Sequence, residues 1–158
     1  MDLYGLAGEL LTVMGGQLSA AGVTLPTQQF VGAGPLPVWD FDQFAVHLVR
    51  VFTGMPGAET PVQPSGFTTR SAEFAVSIVR TVPIPNDYGI PPSADKMTPY
   101  IVANMGDVAA LQAGAEQVKA QALWVPYATP FAIGACTTQG PEGGMLAAVL
   151  SLQIQVLS

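Results

Sequence analysis

The sequence predicts an α+β fold: an antiparallel sheet of four or five strands with two helices packed on one of its faces. Three observations carry that expectation. Two segments, one ending near Phe52 and one running from Ala72 to Val82, alternate apolar and polar residues with the period of two of a half-buried strand. Two others, after Asp2 and from Pro99 to Ala122, repeat apolar residues at helical spacing. A Gly-rich turn then joins two closing strand patterns. At 158 residues the chain suits one domain with a real core and is too short for two ordinary ones.

Asp2 is placed to cap the first helix, whose Leu3, Leu6, Leu10, Met14, Leu18 and Ala21 recur at helical spacing until Gly22 supplies a stop. Gly5, Gly8, Gly15 and Gly16 inside it each cost about 0.5–1 kcal/mol relative to Ala, so close packing against the sheet or another subunit has to offset them; a break at Gly15-Gly16 is the alternative. A short strand is expected at Gln28 to Val31, ended by Gly34-Pro35-Leu36-Pro37. The next strand has Phe44, Val46, Leu48 and Phe52 as its apolar face. Thr53 to Ser71, with Gly54, Pro56, Gly57, Pro61, Pro64 and Gly66, is far longer than the roughly 2 to 5 residues a hairpin needs, and reads as a docking arm.

The following strand carries Ala72, Phe74, Val76, Ile78 and Val82 on one face and Glu73, Ser77 and Thr81 on the other. Prolines from Pro83 to Pro92 forbid ladder pairing, and Asn86-Asp87 favours a turn. The second helix starts from a cap at Ser93 or Thr98, with Pro99 at the first helical position in the latter case. Its expected apolar stripe is Ile101, Met105, Val108, Ala115, Val118 and Ala122, with Asp107, Gln112, Glu116 and Lys119 outside it. The last hairpin pairs Phe131 to Gln139 with Met145 to Leu157 around Gly140-Pro141-Glu142-Gly143-Gly144. Leu146, Leu150, Leu152, Ile154 and Val156 face inward, and Ser151, Gln153 and Gln155 outward.

Only 10% of residues are charged and the mean hydropathy is +0.41, so a lone monomer has little charge with which to cover itself. Neighbouring subunits are expected to bury part of its surface; a large apolar core under a Ser/Thr/Gln surface is the other reading. Net charge is −6, and the only cations are Arg50, Arg70, Arg80, Lys96 and Lys119. Five dispersed cations do not wrap a phosphate backbone. The amino terminus shows no basic n-region, and the most apolar run, Met145 to Leu157, is about 13 residues against the roughly 18 a membrane span needs. A soluble protein made in the cytoplasm, with no membrane partner, is expected.

Catalytic signatures are missing. His47, the single histidine, lies among Val46, Leu48 and Val49 and reads as a structural or interface side chain, because a triad would need partners that the sequence does not supply. Cys136, the single cysteine, cannot form an intrachain disulfide or a metal pair and is expected buried in a strand. Asp40 and Asp42 could share a strand face and hold a cation or act as an acid/base pair. No further carboxylate or histidine completes such a site, so an acidic edge facing solvent or an interface is expected. Gly32-Ala33-Gly34 is followed by Pro35 where a dinucleotide-binding helix should open. No enzyme activity, metal or cofactor is expected.

This order of elements resembles the tail terminator (tail completion) proteins of long-tailed, non-contractile bacteriophages. The likeness covers nearly the whole chain: a helix, a strand ending near Phe52, a long arm, the strand Ala72 to Val82, the helix Pro99 to Ala122 and the hairpin through Gly140 to Gly144. It implies a virion protein, assembled in the host cytoplasm, that forms a six-subunit ring capping the tail tube. One side of the ring would meet the major tail tube protein and the other the head-tail connector protein, with DNA passing through the channel without specific binding. Under this likeness Met55 and Phe67 are apolar anchors of the arm, Glu59 and Arg70 its charged contacts, and Asp40 and Asp42 face an interface or the lumen. The rivals are another head-to-tail joining or tail-tube-like protein, and a small cytoplasmic enzyme or ligand-binding domain.

Overall fold

Helix α1 spans Leu3–Ala20 without a break at its glycine pair, because both ends are capped. Asp2 Oδ1 accepts from the Gly5 N–H at 2.8 Å. At the other end Val23 N–H donates to Leu18 O and Gly22 N–H to Ser19 O, with Gly22 at φ +84, a complete Schellman stop. Gly15 faces the sheet: a Cβ there would stand 3.4 Å from the Phe44 ring, an ordinary contact. The structure is a computed structural model and describes residues 2–34, 41–59, 69–124 and 131–156.

Six strands follow: β1 Gln28–Ala33, β2 Gln43–Met55, β3 Ala58–Glu59, β4 Arg70–Thr81, then, after helix α2 Ala94–Ala120, β5 Phe131–Glu142 and β6 Met145–Val156. The sheet order is β1-β2-β4-β6-β5, with the two-residue β3 folded back on β2. All pairings are antiparallel except β1 with β2, which is parallel, so the expected all-antiparallel sheet is corrected at that edge. Gly143 and Gly144, at φ +58 and +76, form a two-residue turn between β5 and β6, tighter than the five-residue turn expected.

Both helices cover one face. The rows Phe44–Ile78–Ala148, Val46–Val76–Leu150 and Leu48–Phe74–Leu152 cross the sheet in register and meet Ala7, Leu10, Met14 and Leu18 of α1 and Leu111, Ala115 and Val118 of α2. Trp124, just after α2, closes this core: it packs edge-on against Phe74 and Phe131, and its Nε1–H donates to Leu6 O at 2.9 Å. The register of β2 slips between Leu48 and Arg50, and this bulge moves Phe52 opposite Ser71, onto the other face from Phe44. The apolar face expected to run from Phe44 through Phe52 is therefore split. The second face carries buried Gln43, Ala45, His47, Ser77 and Val79, and among the described residues no helix lies over it.

The stripe expected of α2 is found in part: Ala115 and Val118 are buried and Val108 packs on the core, while the first half of the helix and Asp107 differ. Its buried positions are Asn104, Asp107, Leu111, Gly114, Ala115 and Val118, whereas Ile101 and Met105 are exposed. Asp107 can occupy the buried face because Arg80, rising from the end of β4, grips it with two hydrogen bonds of 2.7 and 2.8 Å. The helix begins after Ser93, whose side chain makes no cap bond, so Pro99 sits inside the helix and not at its first position.

Candidate interaction surface

The arm begins as a tight hairpin. β2 continues past Phe52 to Met55, turns through Pro56-Gly57 and returns as β3. This hairpin leans on the chain's own sheet: Gly57 N–H donates to Gln153 Oε1 at 2.7 Å, and Glu59 pairs with Arg50 at 2.8 Å. Arg50 also holds Glu73 at 2.7 Å, and Ser151 Oγ donates to the same carboxylate. Partial burial pushes the Glu73 pKa up, but the hydrogen bonds from Arg50 and Ser151 outweigh it and leave the group below its ordinary range. Glu59, expected as an arm contact, is thus engaged inside the chain, while Met55 at the hairpin and Arg70 at the start of β4 are exposed. Phe67 and residues 60–68 generally lie outside the described residues.

The acidic pair divides in the same way. Asp42 Oδ1 accepts from both the N–H and the Oγ1–H of Thr81, at 2.6 and 2.9 Å, and so ties the start of β2 to the end of β4. Asp40 lies outside the described residues. Among the described residues no group of three or more His, Cys, Asp or Glu side chains is disposed to hold a metal ion. His47 is 1% exposed, lies edge-on to Phe30, and among the described residues neither of its nitrogens has a hydrogen-bond partner; burial lowers its pKa. Cys136 is half-buried in β5, and burial raises its thiol pKa.

The described surface carries exposed apolar side chains on β2 (Val49, Val51 and Met55), at Leu123, and in two further places. The first is the link before α2 together with the start of that helix. Asn86 Oδ1 accepts from the N–H groups of Tyr88 and Ile90, both at 3.0 Å, and fixes a turn with Tyr88 at its tip, 89% exposed. Beside it in sequence stand Ile84 and Ile90, and beyond them Ile101, Val102 and Met105, all exposed. The second is a cleft of about 440 Å³ between the first turns of α1 and the end of β1, lined by Leu3, Tyr4, Ala7, Val31, Ala33 and Leu48. Local pattern announces neither: the spacing of Ile101 and Met105 predicts a place in the apolar stripe of α2, and Tyr88 gives no signal beyond an aromatic residue in a turn.

Three of the five cations are engaged with the chain itself: Arg50 and Arg80 in ion pairs, and Lys119 over the Phe131 ring at 5.6 Å. No helix among the described residues is long and apolar enough to cross a membrane. Comparison with models of known protein families gives no match, and comparison with curated proteins gives none.

Proposed function

We propose that this chain is a structural virion protein that caps the tail tube of a long-tailed, non-contractile bacteriophage, ends the tube's polymerisation and forms the ring that joins the tail to the head connector. The observation that carries a binding role is the exposed apolar surface of Tyr88, Val102 and Met105 on a chain with so little charge. Large side chains held by an ordered turn and a helix act as anchors for a partner surface. The order of elements, with a hairpin arm between β2 and β4, supports the terminator family in particular. In this role six copies form a ring, one side meets the major tail tube protein and the other the connector, and no step is enzymatic. A net charge of −6 suits a passage that must let DNA through without holding its phosphates.

The test is to remove the gene from its phage and measure tails by electron microscopy. Over-long, headless tails are expected. Headless tails of normal length would make the protein a joining protein, and normal virions would end both readings.

A further inference from the structure

The hairpin that opens the arm lies across the outer face of the sheet. Arg50, Glu73, Gln153 and Ala132 stand opposite one another on β2, β4, β6 and β5 and form one row on the face away from the helices. The turn Pro56-Gly57 reaches over that row: Gly57 N–H donates to Gln153 Oε1 at 2.7 Å, and a Cβ on Gly57 would stand 3.5 Å from the Ala132 Cβ. Residues 54–59 are therefore a strap running from β2 toward β5, closed on itself by the pairs Gly54–Glu59 and Met55–Ala58.

What holds the strap among the described residues is polar. Met55, Gly57, Ala58 and Glu59 are exposed and Pro56 is half-buried, so the strap sinks no side chain into a core. Its ties are the Gly57–Gln153 bond and the ion pair of Glu59 with Arg50 Nη1 at 2.8 Å, both side chains half-exposed. Arg50 is set from the sheet side: its Nε–H donates to Glu73 at 2.7 Å, Ser151 Oγ donates to the other Glu73 oxygen, and its guanidinium lies 5.0 Å over the Phe52 ring. Lifting the strap returns Glu59 and the Gly57 N–H to water and leaves Arg50 on Glu73, so no buried charge is stranded. An exposed pair of this kind contributes little and is screened by salt. The root is fastened separately: Gly54 N–H donates to Thr69 O at 2.8 Å and Ser71 Oγ–H to Gly54 O at 2.7 Å, with Gly54 at φ +120, where glycine is favoured.

We propose that Arg50 is a latch: it holds the strap of residues 54–59 closed across the sheet, and screening or loss of the Glu59 charge opens the strap about Gly54 while the Arg50–Glu73 pair stays. The closed strap keeps the arm against its own chain, and the open one presents it to a partner. That use rests on the binding role proposed above, whereas the latch rests on the contacts of this chain alone.

The experiment follows the Gly57 and Gly54 amides of the full chain by hydrogen exchange in NMR. In the wild type both should be protected at low salt. Glu59→Gln, or raising NaCl from about 0.05 to about 1 M, should speed exchange at Gly57 by about threefold, the scale of an exposed ion pair, and leave Gly54 unchanged. A Gly57 amide that is unprotected from the start, indifferent to both changes, or moved together with Gly54 overturns the latch. The same two proteins are then added to growing tail tubes, where Glu59→Gln should arrest elongation at a lower concentration than the wild type. Equal or weaker arrest by the variant, after the expected exchange result, overturns the use of the strap to withhold the arm. Arrest by the wild type with Gly57 indifferent removes the latch and leaves the tail role standing. The expected exchange with no arrest by either protein supports the latch and overturns the tail role.

Discussion

Arg80 and Asp107 meet where the end of β4 passes under α2, the Asp107 side chain only 5% exposed and Arg80 also donating to Thr24 O. Removing one member of such a pair leaves the other charge desolvated and alone, which costs more than the pair itself contributes. Arg80→Ala should therefore destabilise the fold by about 3 kcal/mol in urea titrations, whereas Arg80→Met with Asp107→Leu should recover most of that loss. His47 makes the second residue-scale prediction. Its pKa is lowered by burial, so as pH falls below about 6.5 the unfolded chain takes up a proton that the folded chain resists. Stability should decline from that pH down to the folded pKa and level off below it. His47→Gln should flatten this part of the profile, measured by thermal melting from pH 7.5 to 5; a wild-type profile flat over the same range would contradict the burial. The apolar neighbours of His47 in the sequence agree with its burial in the sheet. It could not show Asp107 as buried, because the cation that allows it comes from a strand far away in the chain.

At the scale of elements, α2 ends by the same device as α1 but with the wrong residue. Leu123 N–H donates to Val118 O and Ala122 N–H to Lys119 O, a Schellman pattern in which Ala122 holds φ +51. A left-handed alanine is disfavoured by about 1 kcal/mol relative to glycine, and Ala122 is exposed, so Ala122→Gly should raise stability by roughly that amount on thermal melting. Trp124, two residues on, is buried against Phe74. Element types and order were legible in the sequence because period-two and helical patterns are long here and glycines mark their ends. Phase and register were less so. One bulge between Leu48 and Arg50 sends Phe52 to the opposite face, and the spacing of Ile101 and Met105 reads as core only if the sheet reaches under them. The arm was legible as a long connection, but its first residues form a hairpin held by Gln153 and Arg50, partners that no local pattern announces.

For the whole molecule, the α+β class and both helices on one face followed from the patterns, while the parallel β1–β2 pair did not, since a period of two is the same for either direction. The low charge fraction anticipated exposed apolar surface; the fold places it on Tyr88, on the start of α2 and in the cleft beside α1. Asp42, which is expected at an interface or lumen, ties two strands together through Thr81 while remaining exposed. The central claim is that the chain acts by stoichiometric capping of a tube. The most direct test adds the purified protein to growing tubes of the phage's own tail protein and images them by electron microscopy. The account predicts one ring at the growing end of each tube and an arrest of elongation in proportion to the rings added. Tubes that elongate unchanged, with the protein left in solution as monomers, would contradict it.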